Sequence, residues 1–434
     1  MHSKGRLHTP TLRMRWSPES AVLAIMIPLL CLLLALLFIF ITAQPLQGQT
    51  FSVIHSFNGS DGEYPAGLTI DAAGNLYGVT YYSSTAGNVF KLSRAGSGWV
   101  FTVLYSFQGG SDGSMPNSGL IFGPDGKLYG TTTTGGGQQC SGAGCGTVFA
   151  LKPPPQACRT VSCPWIETLL YRFTGGLDGC NANGNLLFDR YGNLDGTTAG
   201  CGSAGGGTVF QLHPADGGWT LSVLHSFAWG TDGASPSGGL ISDSSGTLYG
   251  VTQYAGSPGN HGIVYELTPS GSGFIETVLH AFQGTPDGGC PIGGLMWDGS
   301  GNMYGTTSSR GSGGDGTTFE LTASGGVWGF SLLYSFVGSG GFGPCGPGSA
   351  TNLVMDLSGN LYGSLESAGA YQNGNVFKLT ASNGGWVYNS MHDFIGDDGM
   401  FPWSSLVIDR GGNIYGTTIY GGAYGAGVVF EVTP

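Results

Sequence analysis

Hydrophobic and polar positions alternate along this chain in short segments that recur seven times. Residues 99–107 form a run of aromatic and β-branched side chains, which predicts a strand, and three shorter strands are predicted at 119–122, 127–133 and 146–151. The phenylalanine that ends the first of these strands recurs in every copy, at Phe57, Phe107, Phe173, Phe227, Phe282, Phe336 and Phe394. Four short strands in each copy predict a repeat protein built from β-sheet.

A Leu-Tyr-Gly phrase marks the third of these four strands and spaces the copies 52 to 66 residues apart. Its glycine falls at Gly78, Gly130, Gly196, Gly250, Gly305, Gly363 and Gly416. The third copy differs from the others because Asp195 replaces the tyrosine. A four-stranded unit at this period is typical of a propeller blade. The predicted fold class is therefore all-β, a seven-bladed β-propeller with four-stranded blades.

The lengths of the links predict where one blade ends. The link at 95–98 is a tight turn, as expected between neighbouring antiparallel strands, whereas the links that follow the recurring phenylalanine are longer and suit a crossing between blades. This division leaves a lone strand at 51–57, which we expect to pair with residues 428–432 in the last blade and close the ring. The face with the longer and more variable loops is the expected place for function.

A separate segment precedes the repeats. Lys4, Arg6, Arg13 and Arg15 come before an apolar run over residues 21–43, which is the layout of a secretory signal. The run is also long enough to span a bilayer as a helix. Residues 1–43 are therefore predicted to be a signal peptide or an N-terminal membrane anchor, and residues 44–434 a single propeller domain. Both alternatives place the propeller outside the cytoplasm, as a secreted, periplasmic or cell-surface protein.

The charge of the exported part narrows the expected partners. After residue 43 the chain has 10 Lys and Arg against 25 Asp and Glu. This balance argues against nucleic acid and against anionic membrane surfaces, so membrane contact is expected only through an uncleaved N-terminal helix. The remaining candidate partner is an extracellular glycan or protein. No residue spacing indicates a cofactor.

Eight of the nine cysteines lie after the apolar run, an even number that favours disulfides in an oxidising compartment. They are Cys140, Cys145, Cys158, Cys163, Cys180, Cys201, Cys290 and Cys345. Two pairs are separated by four residues, but zinc sites usually have tighter spacing or added histidines, so no metal site is predicted. Cys180 and Cys201 fall in two loops on one face of the third copy, where they can bridge. Cys290 and Cys345 lie in successive inter-blade links and can staple adjacent blades.

Acidic residues recur in the inter-blade links, as an Asp-Gly pair. Together with the repeat-breaking Asp195, these carboxylates are the candidate binding residues: Asp61, Asp112, Asp178, Asp232, Asp287 and Asp398. An acidic ring of this kind can bind a cation. The same pattern also describes a turn in which Asp accepts a backbone hydrogen bond, and the near-identity of the copies favours the turn. Asp195 needs a partner if it is buried.

Histidine residues share one repeat position with tyrosine. His55, His225, His280 and His392 lie two residues before the recurring phenylalanine, where other copies have tyrosine. A position that alternates between these residues is typical of a packed amphipathic ring. Formal matches to a nucleophile elbow at 109–113 and to a dinucleotide fingerprint at 311–316 lack the helix that both motifs require. The sequence therefore assigns no catalytic residue.

The order of motifs within each copy resembles the GloVer-type (Gloeo/Verruco) tandem repeats of exported bacterial proteins. Residues 126–132, 146–151, 412–422 and 428–433 carry the resemblance best. It implies a secreted or surface-attached bacterial β-propeller of unassigned activity, and it provides no catalytic residues to transfer.

Three functions follow as hypotheses. The first is a non-catalytic binding or scaffold module for glycan or protein, which predicts exposed aromatic side chains on the loop face. The second is an extracellular propeller enzyme, such as a lactonase, lyase or glycan-acting hydrolase, which predicts an axial pocket with repeat-breaking polar side chains. The third is a structural surface-layer component, which predicts a flat apolar patch.

Overall fold

The computed structural model describes residues 49–154, 165–271, 273–337 and 352–433. These residues form antiparallel β-sheets joined by turns and loops, arranged as seven blades of a β-propeller. The predicted fold class is thereby confirmed. The described part of the chain contains no helix long and apolar enough to span a membrane. The predicted signal or anchor at residues 1–43 lies outside the described residues.

Strand β1 (Thr50–Ser56) comes first in the chain, and blades one to three follow it. Blade one contains β2 (Glu63–Ile70), β3 (Leu76–Tyr82), β4 (Asn88–Ala95) and β5 (Gly98–Ser106). Blade two contains β6 (Ile121–Phe122), β7 (Leu128–Thr132), β8 (Thr147–Lys152) and β9 (Ile166–Arg172). Blade three has a divided first strand and contains β10 (Cys180–Ala182), β11 (Leu187–Phe188), β12 (Leu194–Gly200), β13 (Thr208–Ala215) and β14 (Gly218–Ser226).

Blades four to six repeat this order. Blade four contains β15 (Ala234–Ser242), β16 (Leu248–Tyr254), β17 (Ile263–Ser270) and β18 (Gly273–Ala281). Blade five contains β19 (Met296–Trp297), β20 (Met303–Thr307), β21 (Gly314–Ser324) and β22 (Val327–Val337). Blade six contains β23 (Val354–Met355), β24 (Leu361–Leu365), β25 (Asn375–Ser382) and β26 (Gly385–Asp393).

Blade seven is closed by the two ends of the domain. It contains β27 (Met400–Pro402), β28 (Val407–Ile408), β29 (Ile414–Tyr420) and β30 (Val428–Thr433), and β1 supplies its outermost strand. Strand β1 runs antiparallel to β30, with Phe51 opposite Val432. This is the predicted closure, and it leaves no blade with a missing edge strand. Arg94 of blade one adds a polar link across the closure, because its Nη2 donates to Tyr415 Oη at 2.8 Å.

The Leu-Tyr-Gly phrase is structural, as blade one illustrates. Leu76 is fully buried, and the hydroxyl of Tyr77 donates to Asp71 Oδ2 at 3.1 Å in the turn that precedes the strand. Gly78 makes room for the neighbouring strand, since a Cβ there would lie 2.6 Å from Phe90 Cζ. Phe90 in turn packs edge-on against Phe57, the recurring strand-end phenylalanine, at 5.4 Å between ring centroids. Each residue of the phrase therefore has a packing or turn role, which the other blades repeat except at Asp195, the residue that replaces the tyrosine in blade three.

Candidate functional site

The first strands of the blades surround a cavity of about 280 Å³ at the axis of the ring. All seven blades contribute to its wall, mainly through glycine, serine and asparagine: Ala66, Gly67, Asn117, Ser118, Gly119, Asn183, Gly184, Asn185, Ser237, Gly238, Gln253, Ile292, Gly293, Asn352, Glu366, Trp403, Ser404 and Ser405. Two of the amides link neighbouring blades. Asn185 Oδ1 accepts a hydrogen bond from the Gly119 nitrogen at 2.7 Å, and Asn352 Oδ1 accepts one from the Gly294 nitrogen. The wall is polar, and these links hold it in place.

Glu366 supplies the only charged side chain among the described residues that line this cavity. The residue is 8% exposed, and no hydrogen bond or ion pair to its carboxylate occurs within the described part of the chain. Burial raises the pKa of this carboxyl to about 7. A buried carboxylate without a protein partner is costly, so its presence on the axis points to a ligand.

Blade six departs from the repeat at two adjacent positions. In the other blades, a threonine near the end of the second strand accepts a backbone hydrogen bond from the third strand, as Thr307 does from the Thr317 nitrogen at 2.9 Å. Leu365 replaces that threonine in blade six, and Glu366 follows it. Asp195, and not this pair, was the departure predicted from the sequence to be unusual. The available signal was an apolar residue at the threonine position, followed by the only acid that any copy has there.

A ring of residues with strained backbone surrounds the cavity on the loop face, which is the face with the longer loops. Six of them have a left-handed backbone, with φ between 54° and 58°: Tyr64, Met115, Asn181, Ser235, Cys290 and Phe401. Each donates its backbone N–H to a loop carbonyl of the preceding blade, at 2.7 to 3.2 Å. Non-glycine residues rarely adopt this conformation, and strain of this kind concentrates at functional sites. The hydrogen bond fixes the backbone at each position while the side chain differs from blade to blade.

The strain at these positions leads to a test of stability. Ser235→Gly is expected to raise the free energy of unfolding by about 0.5 kcal/mol. Glycine adopts positive φ without steric strain, and the strain relieved exceeds the conformational entropy that glycine loses on folding. Ser242→Gly, at the end of the same strand β15, should instead lower it by about 0.5–1 kcal/mol. Urea unfolding of both variants measures the difference. Equal destabilisation by both changes would contradict the assignment of strain.

Five aromatic side chains form a cluster on this face where blades seven and one meet. We call Tyr64, Tyr81, Tyr82, Phe401 and Tyr420 the aromatic patch. The ring centroid of Tyr64 lies 4.9 Å from that of Tyr420 and 5.4 Å from that of Tyr82. The rings of Tyr81 and Phe401 extend the cluster at 4.7 and 6.0 Å from Tyr82 and Tyr420. Tyr82 and Tyr420 are each 39% exposed, so the patch offers ring surface to solvent.

The aromatic patch borders the mouth of the axial cavity. Tyr420 directly follows Ile419, which occupies in blade seven the repeat position that Glu366 occupies in blade six. Trp403 lines the cavity two residues after Phe401, and it is 48% exposed. A second pair, Trp229 and Tyr254, stacks on the same face with ring centroids 6.1 Å apart. The loop face therefore combines exposed aromatic rings with a polar axial pocket.

The six aspartates of the inter-blade links lie away from the cavity wall and use their carboxylates internally. In five blades the histidine or tyrosine of the outer strand hydrogen-bonds the carboxylate, at 2.7 to 3.1 Å: the pairs are His55–Asp61, Tyr105–Asp112, Tyr171–Asp178, His280–Asp287 and His392–Asp398. His225 and Asp232 approach to 3.5 Å. Each aspartate also accepts the backbone N–H that follows the recurring phenylalanine, as Asp178 does from Thr174 at 2.8 Å. The side chain at the shared His/Tyr position therefore anchors the inter-blade link through the aspartate, in addition to packing between strands.

Asp195 is fully buried in blade three, near the turn between the first two strands and at the opposite end of its strand from the cavity mouth. Its Oδ1 accepts a hydrogen bond from Gln211 Nε2 at 2.8 Å, and its Oδ2 has no hydrogen-bond partner within the described residues. Burial, with a smaller contribution from the charge of Asp189, raises the pKa of Asp195 to about 7. In other blades the tyrosine at this position donates to the turn aspartate, as Tyr129 does to Asp125 at 2.9 Å. In blade three, Asp195 therefore puts an acid where the other blades have the hydrogen-bond donor of a tyrosine.

Two disulfides stabilise the loops around blade three, Cys140–Cys145 and Cys180–Cys201. The sulfurs of Cys140, Cys180 and Cys201 lie within 4.8 Å of one another. All three are oxidised, so they offer no thiolate to a metal ion. Cys290 is also disulfide-bonded, and Cys345, Cys158 and Cys163 lie outside the described residues.

Comparison with known proteins supports the fold and the repeat. The sequence profile of the Gloeobacter/Verrucomicrobia repeat matches residues 40–163, 164–299 and 291–434. No match was found among curated protein sequences. The predicted resemblance to this type of repeat is therefore confirmed.

Solved structures of other proteins align with this chain at low sequence identity. Virginiamycin B lyase from Staphylococcus aureus superposes with a TM-score of 0.54 and 12% identity, over 89% of this chain and 99% of that one. PorZ, a surface component of the type-IX secretion system of Porphyromonas gingivalis, has a TM-score of 0.49 and 15% identity, over 88% and 47%. A gluconolactonase from Xanthomonas campestris has a TM-score of 0.41 and 15% identity, over 73% and 86%. The superposition with virginiamycin B lyase shows the shared fold alone, and at 12% identity it assigns no function to this chain.

Proposed function

The chain belongs to the Gloeobacter/Verrucomicrobia repeat family, and we propose that this member is a non-catalytic, extracytoplasmic module that binds glycans. The binding surface is the loop face, with the aromatic patch and the axial cavity as its two parts. The observation that carries the proposal is the contiguity of exposed aromatic rings with a pocket lined by amide and hydroxyl groups.

The chemistry of the two parts suits a saccharide. Aromatic rings offer flat apolar faces that pack against the C–H faces of a sugar ring. Asparagine, glutamine and serine side chains supply the few directed hydrogen bonds that fix a polar ligand in a pocket. A glycan presents both kinds of surface at once.

The disulfides and the charge of the domain agree with an extracytoplasmic ligand. The disulfides Cys140–Cys145 and Cys180–Cys201 are of the kind that persists in oxidising compartments. The acidic balance of the chain disfavours polyanions such as nucleic acid as competing partners.

The full-length chain on a glycan array, followed by calorimetric titration of the best binders, tests this proposal. We expect binding to a restricted set of oligosaccharides. An array on which no glycan is retained would contradict glycan recognition.

The aromatic patch leads to a specific prediction. Tyr64→Ala and Tyr420→Ala should each weaken glycan binding by about tenfold, because each change removes a ring that packs against the sugar. Tyr191 is the matched control, since it is 73% exposed in a turn on the opposite face. Titration of the three variants with the same oligosaccharide measures the effect. If Tyr191→Ala weakens binding as much as the other two, the patch is not the binding surface.

The axial cavity also supports a second candidate, an enzyme with Glu366 as general acid or base. A carboxyl whose pKa is raised to about 7 is suited to proton transfer near neutral pH. Gln253 occupies the equivalent position of blade four and places a further amide on the cavity wall. Mass spectrometry of array-selected glycans and of simple lactones after incubation tests this candidate. Turnover that is abolished by Glu366→Gln would favour the enzyme over the binding module.

A further inference from the structure

We propose that the axial cavity binds the ammonium group of an amine-bearing sugar, with the Glu366 carboxylate as its counter-ion. This inference rests on the proposed function and specifies which glycans the loop face selects.

The charge of the cavity carries the argument. Glu366 is 92% buried, as its 8% exposure implies, and neither a basic side chain nor a second acid occurs among the described residues of the cavity wall. Within the described residues, no basic side chain of the cavity wall therefore neutralises the Glu366 carboxylate. A single buried carboxylate favours a ligand with a single positive charge, because the pair then becomes neutral as a unit.

The donors and acceptors of the wall favour an ammonium group over a divalent metal ion. An ammonium group has three N–H donors and no acceptor, which suits one carboxylate surrounded by amide and hydroxyl oxygens. Calcium takes about six to eight oxygen ligands, and its affinity depends on the number of charged ligands. One carboxylate therefore makes a poor calcium site.

The size and position of the cavity favour one sugar residue of a longer chain. Its volume of about 280 Å³ accommodates a single ring, and it is bordered by Trp403 and the aromatic patch. An amino sugar in the cavity would thus leave the following residues of the chain on the exposed rings. Leu365, which replaces a hydrogen-bonding threonine, is 2% exposed and belongs to the apolar support behind Glu366.

The test uses three hexasaccharides that share a β-1,4-linked backbone and differ in the group at carbon 2. They are the glucosamine oligomer with an amine, the N-acetylglucosamine oligomer with an acetamide, and cellohexaose with a hydroxyl. We expect the full-length protein to bind the amine oligomer at least about 30-fold more tightly, the loss typical of removing one member of a buried charge pair. Glu366→Gln should abolish this preference, so that the amine oligomer binds the variant no more tightly than the other two oligomers do.

The outcomes separate the two proposals. Equal affinity for all three oligomers, or an unchanged amine preference in Glu366→Gln, would overturn the role of Glu366 while glycan binding stands. Calcium chloride alone raising the Tm of the wild-type protein but not of Glu366→Gln would assign the carboxylate to a metal ion and also overturn it. Absence of any binding to the three oligomers and to the array would overturn the proposed function itself. The Tm of Glu366→Gln, expected to equal or exceed that of the wild type, verifies that the variant is folded.

Discussion

Gly238→Ala is expected to lower the free energy of unfolding by about 4 kcal/mol, the largest effect that we expect from a single methyl group in this protein. Gly238 lies on the cavity wall with φ at +75°, where it meets the first strand region of blade five. A Cβ there would lie 2.6 Å from the carbonyl carbon of Gly293 and closer still to the nitrogen of Gly294. Both atoms belong to backbone, which cannot rotate away.

The same contact recurs around the axis. A Cβ at Gly67 would lie 2.5 Å from Gly119 Cα, and one at Gly184 would lie 2.5 Å from the Gly239 nitrogen. Adjacent blades therefore touch through glycine backbone, so that a methyl group must push two blades apart. The expected cost combines overpacking with the strain of a left-handed alanine.

Gly192→Ala is the matched control for this prediction. Gly192 also has positive φ, at +86°, but a Cβ there would have no heavy atom within 4 Å. It should cost only about 1–2 kcal/mol, the left-handed strain alone. Urea unfolding followed by circular dichroism measures both variants. Equal destabilisation would show that the blades do not meet at the axial glycines.

Asp195→Asn is expected to stabilise the protein at pH 8 by about 3 kcal/mol and to have little effect at pH 4. The folded protein raises the pKa of Asp195 from 3.8 to about 7, chiefly by burial. The acid therefore favours the fold only while it is protonated. Its contribution to stability is fully present below about pH 4, and it is lost as the pH rises towards 7. An asparagine keeps the shape of the protonated acid at every pH.

Denaturant unfolding at several pH values, with the wild type and the variant measured side by side, tests this prediction. The difference between the two proteins cancels the other titrating groups, including Glu366. Asp189→Asn is the control. Asp189 accepts backbone hydrogen bonds from Tyr191 and Asn193 at 2.8 Å each, so its loss should destabilise the turn at pH 8 as well. A variant Asp195→Asn whose advantage is the same at pH 4 and pH 8 would contradict the titration of a buried acid.

Much of the fold was predictable because its determinants are local. Strand patterns, turn residues and the spacing of the Leu-Tyr-Gly phrase recur in each copy, and link lengths distinguish turns within a blade from crossings between blades. The pairing of the first and last strands followed from the one unpaired strand at 51–57. The division of the first strand in blades three and seven was not anticipated, because such short strands have little sequence signal.

The candidate site was predictable only in outline. The lengths of the loops predict function on the loop face, and the axial cavity and the aromatic patch both lie there. The break in the Leu-Tyr-Gly phrase pointed to Asp195 as the unusual carboxylate, whereas Glu366 was not predicted. The histidines and link aspartates were considered separately, although His280 and Asp287 are 3.0 Å apart. A repeat allows equivalent positions to be aligned from the sequence, but it does not indicate which of those positions contact one another.

The sequence by itself determined the repeat unit, the number of blades and the way the ring closes, because turn chemistry and strand pattern act over a few neighbouring residues. Only the tertiary structure decided that Glu366 faces a polar axis and that Tyr64 meets Tyr420 at the closure of the ring. Those residues are remote in the chain, and their proximity depends on the ring that brings seven first strands together. The physical reason is that the local conformation of the chain defines one blade. The surroundings of a side chain at the axis are instead determined by residues of the other six blades.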